Sequence, residues 1–403
     1  MKALKFAVFS LLLLSSNISL VTSATEERPN MIVIVVDDQR WDEFGAAGHP
    51  FLNTPNIDRL AREGAMFSSS FTVSPLCSPN RASLLTGQYI SRHGIVDNVA
   101  RGMASHQLDL FPIELQKAGY ETAHIGKWHM GNDPTQRPGY DHWISFPGQG
   151  RSIDPIIFEN GENHVVEGYM TDVLTSRAID FIQQDRQQPF FLYVGHKAIH
   201  PEVIQRDDGS VDTDYGATFM PAERHRGEYA DRVFPRRLNA NLDNIDLDTK
   251  PALKEFLTKK SDTDLQAEMG ALLDPGTAEG TIRDRSEMLL AVDDGLGEIL
   301  DELTRLNILD NTMIVFTSDN GYFYGEQGLS VERRLAYEEG IRVPLLVRYP
   351  KLVEAGSRPD QFALSIDIAP TMLEMANATI KSSIQGRSLV NVLEGTEDEW
   401  RDK

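Results

Sequence analysis

Short uninterrupted apolar runs recur along the chain, and each stops abruptly at polar residues of catalytic type. Met31-Ile32-Val33-Ile34-Val35-Val36 runs into Asp37-Asp38, and Thr122-Ala123-His124-Ile125-Gly126 leads to Lys127-Trp128-His129. Phe190-Phe191-Leu192-Tyr193-Val194 leads to His196-Lys197 and His200-Pro201, and Met313-Ile314-Val315-Phe316 leads to Asp319-Asn320-Gly321. Pro344 to Tyr349 is a further strand candidate. Continuous apolar runs of this length suit strands buried on both faces, as in parallel sheets covered by helices. Helical periodicity fills the intervals. Thr54-Pro55 opens a helix with Ile57, Leu60 and Ala61 on one face and Gly64 to stop it. Asp172 to Gln183 and Ile282 to Leu306 also repeat apolar residues at helical spacing. This alternation predicts an α/β sandwich with a large, mostly parallel central sheet and helices on both faces. Ligands of open α/β sheets sit at the carboxyl ends of the strands, where all four polar clusters fall.

The two ends and one interior stretch read differently. Lys2 and Lys5, the apolar run from Phe6 to Leu14 and Thr22-Ser23-Ala24 have the form of a signal peptide over residues 1–24, so the chain is expected to be secreted or periplasmic. No later run is apolar and long enough for a membrane helix, so no membrane partner is expected. Residues 202–280 are rich in Asp, Arg, Pro and Gly with weak periodicity, and read as an inserted surface segment.

Composition adds two exclusions. With 41% apolar and 25% charged residues the chain is neither disordered nor fibrous. A formal charge of −21 argues against a general nucleic-acid binder, whose affinity comes from cationic phosphate contacts. A single cysteine, Cys77, cannot pair within the chain even in an oxidising compartment.

The chemistry lies in the run ends and around Cys77. Asp37-Asp38 places two like charges side by side at the tip of a buried strand, which calls for a cation. Asp319-Asn320 adds a carboxylate and an amide oxygen, and an all-oxygen set suits Ca²⁺ or Mg²⁺ rather than zinc. Taken alone, either pair reads more readily as an exposed turn, and Asp-Asn-Gly is a common turn sequence. In Cys77-Ser78-Pro79-Asn80-Arg81, Ser78 has N-cap character, Pro79 suits the first helical position and Gly87 the stop. That puts Cys77 just outside a helix N-terminus, where an anion is favoured, with Arg81 in the first turn.

Cys77-Ser78-Pro79-Asn80-Arg81, continued through Thr86-Gly87, resembles the C-x-P-x-R signature of type I sulfatases. The other clusters look like the same family in the same order, over about residues 28–395. The resemblance implies the alkaline-phosphatase-like fold and a cysteine converted by a maturation enzyme to Cα-formylglycine. The hydrate of that aldehyde would attack a sulfate ester with one hydroxyl and expel sulfate with the help of the other. It further implies one Ca²⁺ held by Asp37, Asp38, Asp319, Asn320 and position 77. Arg81 would support the nucleophile, and Lys127 and His129 would contact it and the sulfate, with His129 as base. His200 would serve the leaving oxygen. Relatives place a sulfate-binding lysine where this chain has Arg333, which retains the charge. Gln327 stands where relatives often carry histidine.

His196, and less strongly His142, are expected near the pocket, whereas His49, His106, His164 and His225 are expected at the surface. Type I sulfatases continue into a smaller C-terminal subdomain, which is expected to be absent or truncated after Gly386-Arg387-Ser388-Leu389. The implied substrate is a sulfate ester, expected to be carried on a carbohydrate, with glucosamine 6-sulfate among the candidates. The alternatives are a phosphodiesterase or phosphonate monoester hydrolase of the same superfamily, and a sulfated-glycan-binding protein without catalysis.

Overall fold

The computed structural model describes residues 28–212, 218–240, 246–251, 254–255, 278–329, 334–397 and 399–401. The expected leader at 1–24 and Arg333 lie outside them. The core is a seven-stranded sheet. Its order across the sheet is Ala65–Met66, Leu345–Arg348, Thr312–Ser318, Asn30–Val36, Phe190–Gly195, Glu121–Gly126 and His142–Ile144. The five strands from Thr312–Ser318 to His142–Ile144 run parallel. The two at the other edge, Leu345–Arg348 and Ala65–Met66, pair antiparallel.

The pleat explains why the central runs are apolar without interruption. Met31, Val33 and Val35 face one side with Phe191, Tyr193, Met313 and Val315. There they meet the helices Cys77–Thr86, Phe111–Lys117 and Ile368–Met375. Ile32, Ile34 and Val36 face the other side with Leu192, Val194, Ile314 and Phe316. That face is covered by the helices Pro55–Glu63, Met170–Ile182 and Glu279–Arg305. Every residue of Asn30–Val36 is buried, so alternation with polar residues has no place there. Each such apolar side chain contributes roughly 1.5–3 kcal/mol by burial.

The helices follow their signals closely. Pro55 sits in the first turn of its helix behind Thr54, and Gly64 follows Glu63. The Cys77 helix departs from expectation at its start. Leu76, in extended conformation, is the N-cap, and Cys77 is the first helical residue rather than the one before it. Ser78 does not cap. Its hydroxyl donates to the carbonyl of His129, and its own N–H donates to Asn98 Oδ1 at 3.2 Å. Gly87 closes the helix in left-handed conformation with φ 66°.

The 202–280 stretch is only partly a surface covering. Tyr229 and Phe234 are buried together with Ile282 and Tyr322, and Gln205 reaches inward, as described below. Among the described residues no helix is long and apolar enough to cross a membrane.

One close approach sets the positions of two strand-end loops relative to each other. Gly126 ends its strand with φ 116°, and a Cβ built there would stand 2.0 Å from the Gly195 carbonyl oxygen. That contact lets the Lys127 N–H donate to the same oxygen at 2.7 Å. Gly126→Ala is therefore expected to cost more than about 2 kcal/mol of stability, through steric conflict and disfavoured φ together. Thermal and denaturant unfolding of the purified variant would measure it; an unchanged midpoint would show that the loops are not held by this approach.

Candidate active site

The carboxyl ends of four parallel neighbours deliver the site. Asp37 and Asp38 follow Asn30–Val36, Lys127 follows Glu121–Gly126, the 196–201 loop follows Phe190–Gly195, and Asp319 and Asn320 follow Thr312–Ser318. Asp38 adopts a left-handed backbone, φ 66°, which an aspartate tolerates better than most residues. Its N–H donates to Asp319 Oδ1 at 3.1 Å, and its carbonyl accepts from Arg285 at 2.8 Å. The Asp37 N–H and carbonyl pair with the Ala198 carbonyl and the Ile199 N–H at 2.8 and 2.9 Å, stitching the histidine loop to the acidic tip. Asn80, from the Cys77 helix, donates to the Asp319 carbonyl at 2.7 Å.

Cys77 enters this ring from the helix start. Its Sγ lies 3.4 Å from Asp37 Oδ1 and 3.9 Å from Asp38 Oδ1, and it is fully buried. Ligand atoms of Asp37, Asp38, Cys77 and Asp319 all fall within 4.8 Å of one another.

Cations surround the acids. The Lys127 ammonium donates to Asp37 Oδ2 and, at 2.6 Å, to Gln149 Oε1. Arg81 donates through Nε to Asp319 Oδ2 at 2.8 Å and through Nη1 to the Lys127 carbonyl at 3.0 Å. His200 Nε2 stands 3.9 Å from Asp38 Oδ2, and its Nδ1 donates to the Pro201 carbonyl at 2.7 Å. Burial pushes the Asp37 carboxyl up, but Lys127, His200 and Arg81 outweigh it and hold the group well below the usual carboxylate range. Asp319 goes the other way, raised by burial and by repulsion from Asp37 against the pull of Arg81. Carboxylates that share one buried space repel each other, which is why their shifts run apart.

The site residues expected from sequence thus meet in one place, with two exceptions. Arg333 lies outside the described residues. His142 is elsewhere: it bonds Glu121 at 2.6 Å near the start of the Glu121–Gly126 strand, at the end of the sheet away from the acidic tips. His196 is buried directly after its strand, and burial together with the nearby Arg81 lowers its pKa to about 4.

Comparison with known proteins identifies the setting. The chain matches the sulfatase family over residues 29–378. It belongs to the sulfatase family. It is 34% identical to an N-acetylglucosamine-6-O-sulfatase of Bacteroides thetaiotaomicron, covering 93% of this chain and 73% of that protein. It is 29% identical to the human N-acetylglucosamine-6-sulfatase, over 94% of this chain and 67% of that one. A solved structure described as in complex with its substrate D-glucosamine-2-N,6-O-disulfate aligns with TM-score 0.75 and 32% identity, over 93% of this chain and 82% of that one. A phosphonate monoester hydrolase of Agrobacterium radiobacter aligns at TM-score 0.66 and 22% identity over 93% and 79%, and shows the shared fold alone. The sheet is that of the alkaline-phosphatase-like enzymes, and this sulfatase is a sulfuric ester hydrolase.

The donor set of this sulfatase fits a hard divalent ion. Asn320 Nδ2 donates to Asp38 Oδ1 at 2.6 Å and to the Gly321 carbonyl at 2.9 Å, which fixes the amide orientation. Its Oδ1 is then a buried oxygen with no hydrogen-bond partner among the described residues. A buried acceptor left without a donor is costly unless a cation takes it. The Asp37, Asp38 and Asp319 carboxylates face two permanent cations, so a divalent ion turns a net negative pit into a net positive one.

Sequence reasoning left out residues that complete the sulfatase site. Gln149 takes the Lys127 ammonium, and Gln205 takes His129 at 2.7 Å. Lys197, its pKa lowered to about 8 by burial and by Lys127, donates to the His200 and Pro201 carbonyls at 3.2 Å. Lys197 had a signal, a lysine inside a strand-end cluster. Isolated glutamines carry none.

If the pit holds an ion, calcium at about a hundred times its Kd raises the unfolding free energy by about 2.7 kcal/mol. Asp38→Asn is expected to lose most of that gain. Melting curves with and without chelator test it, and equal calcium responses in wild type and variant would contradict the assignment.

Proposed function

We propose that this sulfatase hydrolyses sulfate esters of a carbohydrate, with Ca²⁺ held by Asp37, Asp38, Asp319, Asn320 and position 77, and with Cys77 matured to Cα-formylglycine by a dedicated enzyme. The observation that carries the reading is the closed, buried ring in which the Cys77 sulfur lies 3.4 Å from Asp37 and shares one space with Asp38 and Asp319. A thiol packed for structure alone would sit among apolar side chains. The carbohydrate follows from relatives named for N-acetylglucosamine 6-sulfate and from the neighbour in complex with a glucosamine disulfate. The apolar leader-like run at the start supports export to the periplasm or the medium.

When hydrated, the matured residue would supply one hydroxyl for attack and a second for sulfate release, and calcium would polarise the sulfate oxygens. The remaining work falls to the chain's own side chains. Lys127 and Arg81, both buried, keep Asp37 and Asp319 oriented and place positive charge where the sulfate would sit. Arg81 stays protonated: burial opposes its charge, but Asp319 and Asp37 outweigh it. His129 is driven well below its usual pKa by burial and Lys127, so it is neutral and able to accept a proton. His200 spends Nδ1–H on the Pro201 carbonyl, which leaves Nε2 to exchange a proton with the leaving oxygen. Arg333 would add a cation to the sulfate.

The matured protein with calcium is expected to release sulfate from N-acetylglucosamine 6-sulfate and from p-nitrophenyl sulfate. It should do so faster than it releases phosphate from the matched phosphate monoesters. Cys77→Ala should lower kcat at least about a thousandfold. Silence on a panel of sulfated sugars, or faster turnover of phosphate, would reject this function.

A further inference from the structure

A hydrogen-bonded chain that the sequence motifs do not contain crosses the site, from Asp37 through Lys127, Gln149 and Gln205 to His129. The Lys127 ammonium donates to Gln149 Oε1 at 2.6 Å, and Gln149 Nε2 donates to Gln205 Oε1 at 3.1 Å. The same Gln205 oxygen meets His129 Nε2 at 2.7 Å, while Gln205 Nε2 donates to the Gly209 carbonyl at 3.1 Å.

The direction of every bond in this chain is dictated from both ends. An ammonium only donates, so the Gln149 oxygen faces Lys127 and its nitrogen faces Gln205. A backbone carbonyl only accepts, so the Gln205 nitrogen faces Gly209 and its oxygen faces Gln149 and His129. The two anchors demand the same orientation, and the two lone pairs of one amide oxygen account for both donors. An amide oxygen cannot donate, so His129 must carry its hydrogen on Nε2.

The other ring nitrogen completes the argument. His129 Nδ1 is buried and has no hydrogen-bond partner among the described residues. The charged groups that act on the ring are Lys127, Asp37 and Arg81; burial and the two cations keep the resting ring neutral. His129 itself is held in left-handed backbone, φ 57°, with its carbonyl taken by the Ser78 hydroxyl beside Cys77.

We propose that Gln205 is a positioning residue that locks His129 in its Nε2–H tautomer, so that Nδ1 offers its lone pair to the reacting group. The catalytic half of this rests on the reading of His129 as base; the tautomer does not. Control of histidine tautomer by a neighbour is a general requirement of imidazole bases, and the wrong tautomer costs orders of magnitude in rate. The residue responsible here comes from a stretch whose composition suggests only surface.

The test uses the full chain labelled with [¹⁵N]histidine, with the His129 signals identified by their loss in His129→Gln. In the wild type, Nδ1 is expected in the unprotonated range and Nε2 in the protonated range at neutral pH. In Gln205→Met the two tautomers should mix, and the matured variant should lose kcat about 10- to 1,000-fold with KM changed by less than about threefold. A protonated Nδ1 in the wild type overturns the proposal even if the variant fails to fold, as does an unchanged tautomer in a folded Gln205→Met. A mixed tautomer with unchanged kcat upholds the lock but rejects His129 as the base.

Discussion

Mutual repulsion among buried carboxylates is the constraint around which this molecule is organised. Asp37, Asp38 and Asp319 stand at adjacent tips of a sheet that shields them from water, within reach of a common point. Such an arrangement is stable only if positive charge is brought to it. The parallel sheet and the Cys77 helix bring it as Lys127 and Arg81, and the 196–201 loop adds the His200 imidazole beside Asp38. The space and the oxygen lone pairs that remain suit a hard cation.

From that constraint the rest of the site follows. Charges packed this closely cannot drift, so the backbone is fixed tightly around them, with left-handed turns at Asp38 and His129 and a glycine contact between the two loop starts. Arg285 illustrates the reach of the effect. Although it belongs to the long helix on the far layer, it is fully buried and donates to both the Asp38 and Ile199 carbonyls, at 2.8 and 3.4 Å. It thereby links the acidic turn to the histidine loop.

Much of this was legible in the sequence, for a physical reason. A strand buried on both faces must be apolar throughout, so the residues where polarity resumes mark its end, and in a parallel sheet those ends share one edge. Asp37, Lys127, His200 and Asp319 could be placed together on that basis. Other features could not. Ser78 has the chemistry of a cap, yet its hydroxyl is drawn to a carbonyl 51 positions away and Leu76 takes the cap position. His142 follows the signal for a pocket residue only in sequence, because its strand delivers it near the opposite end of the sheet. Gln149 and Gln205 act through tertiary hydrogen bonds that no local pattern announces.

The central claim is that these strand tips and position 77 enclose one divalent ion. Anomalous diffraction from crystals of the matured protein grown with calcium tests it most directly. A single peak about 2.3–2.6 Å from oxygens of Asp37, Asp38, Asp319 and Asn320 is the expected result. A pit without a peak, its carboxylates paired only with Lys127 and Arg81, would contradict it.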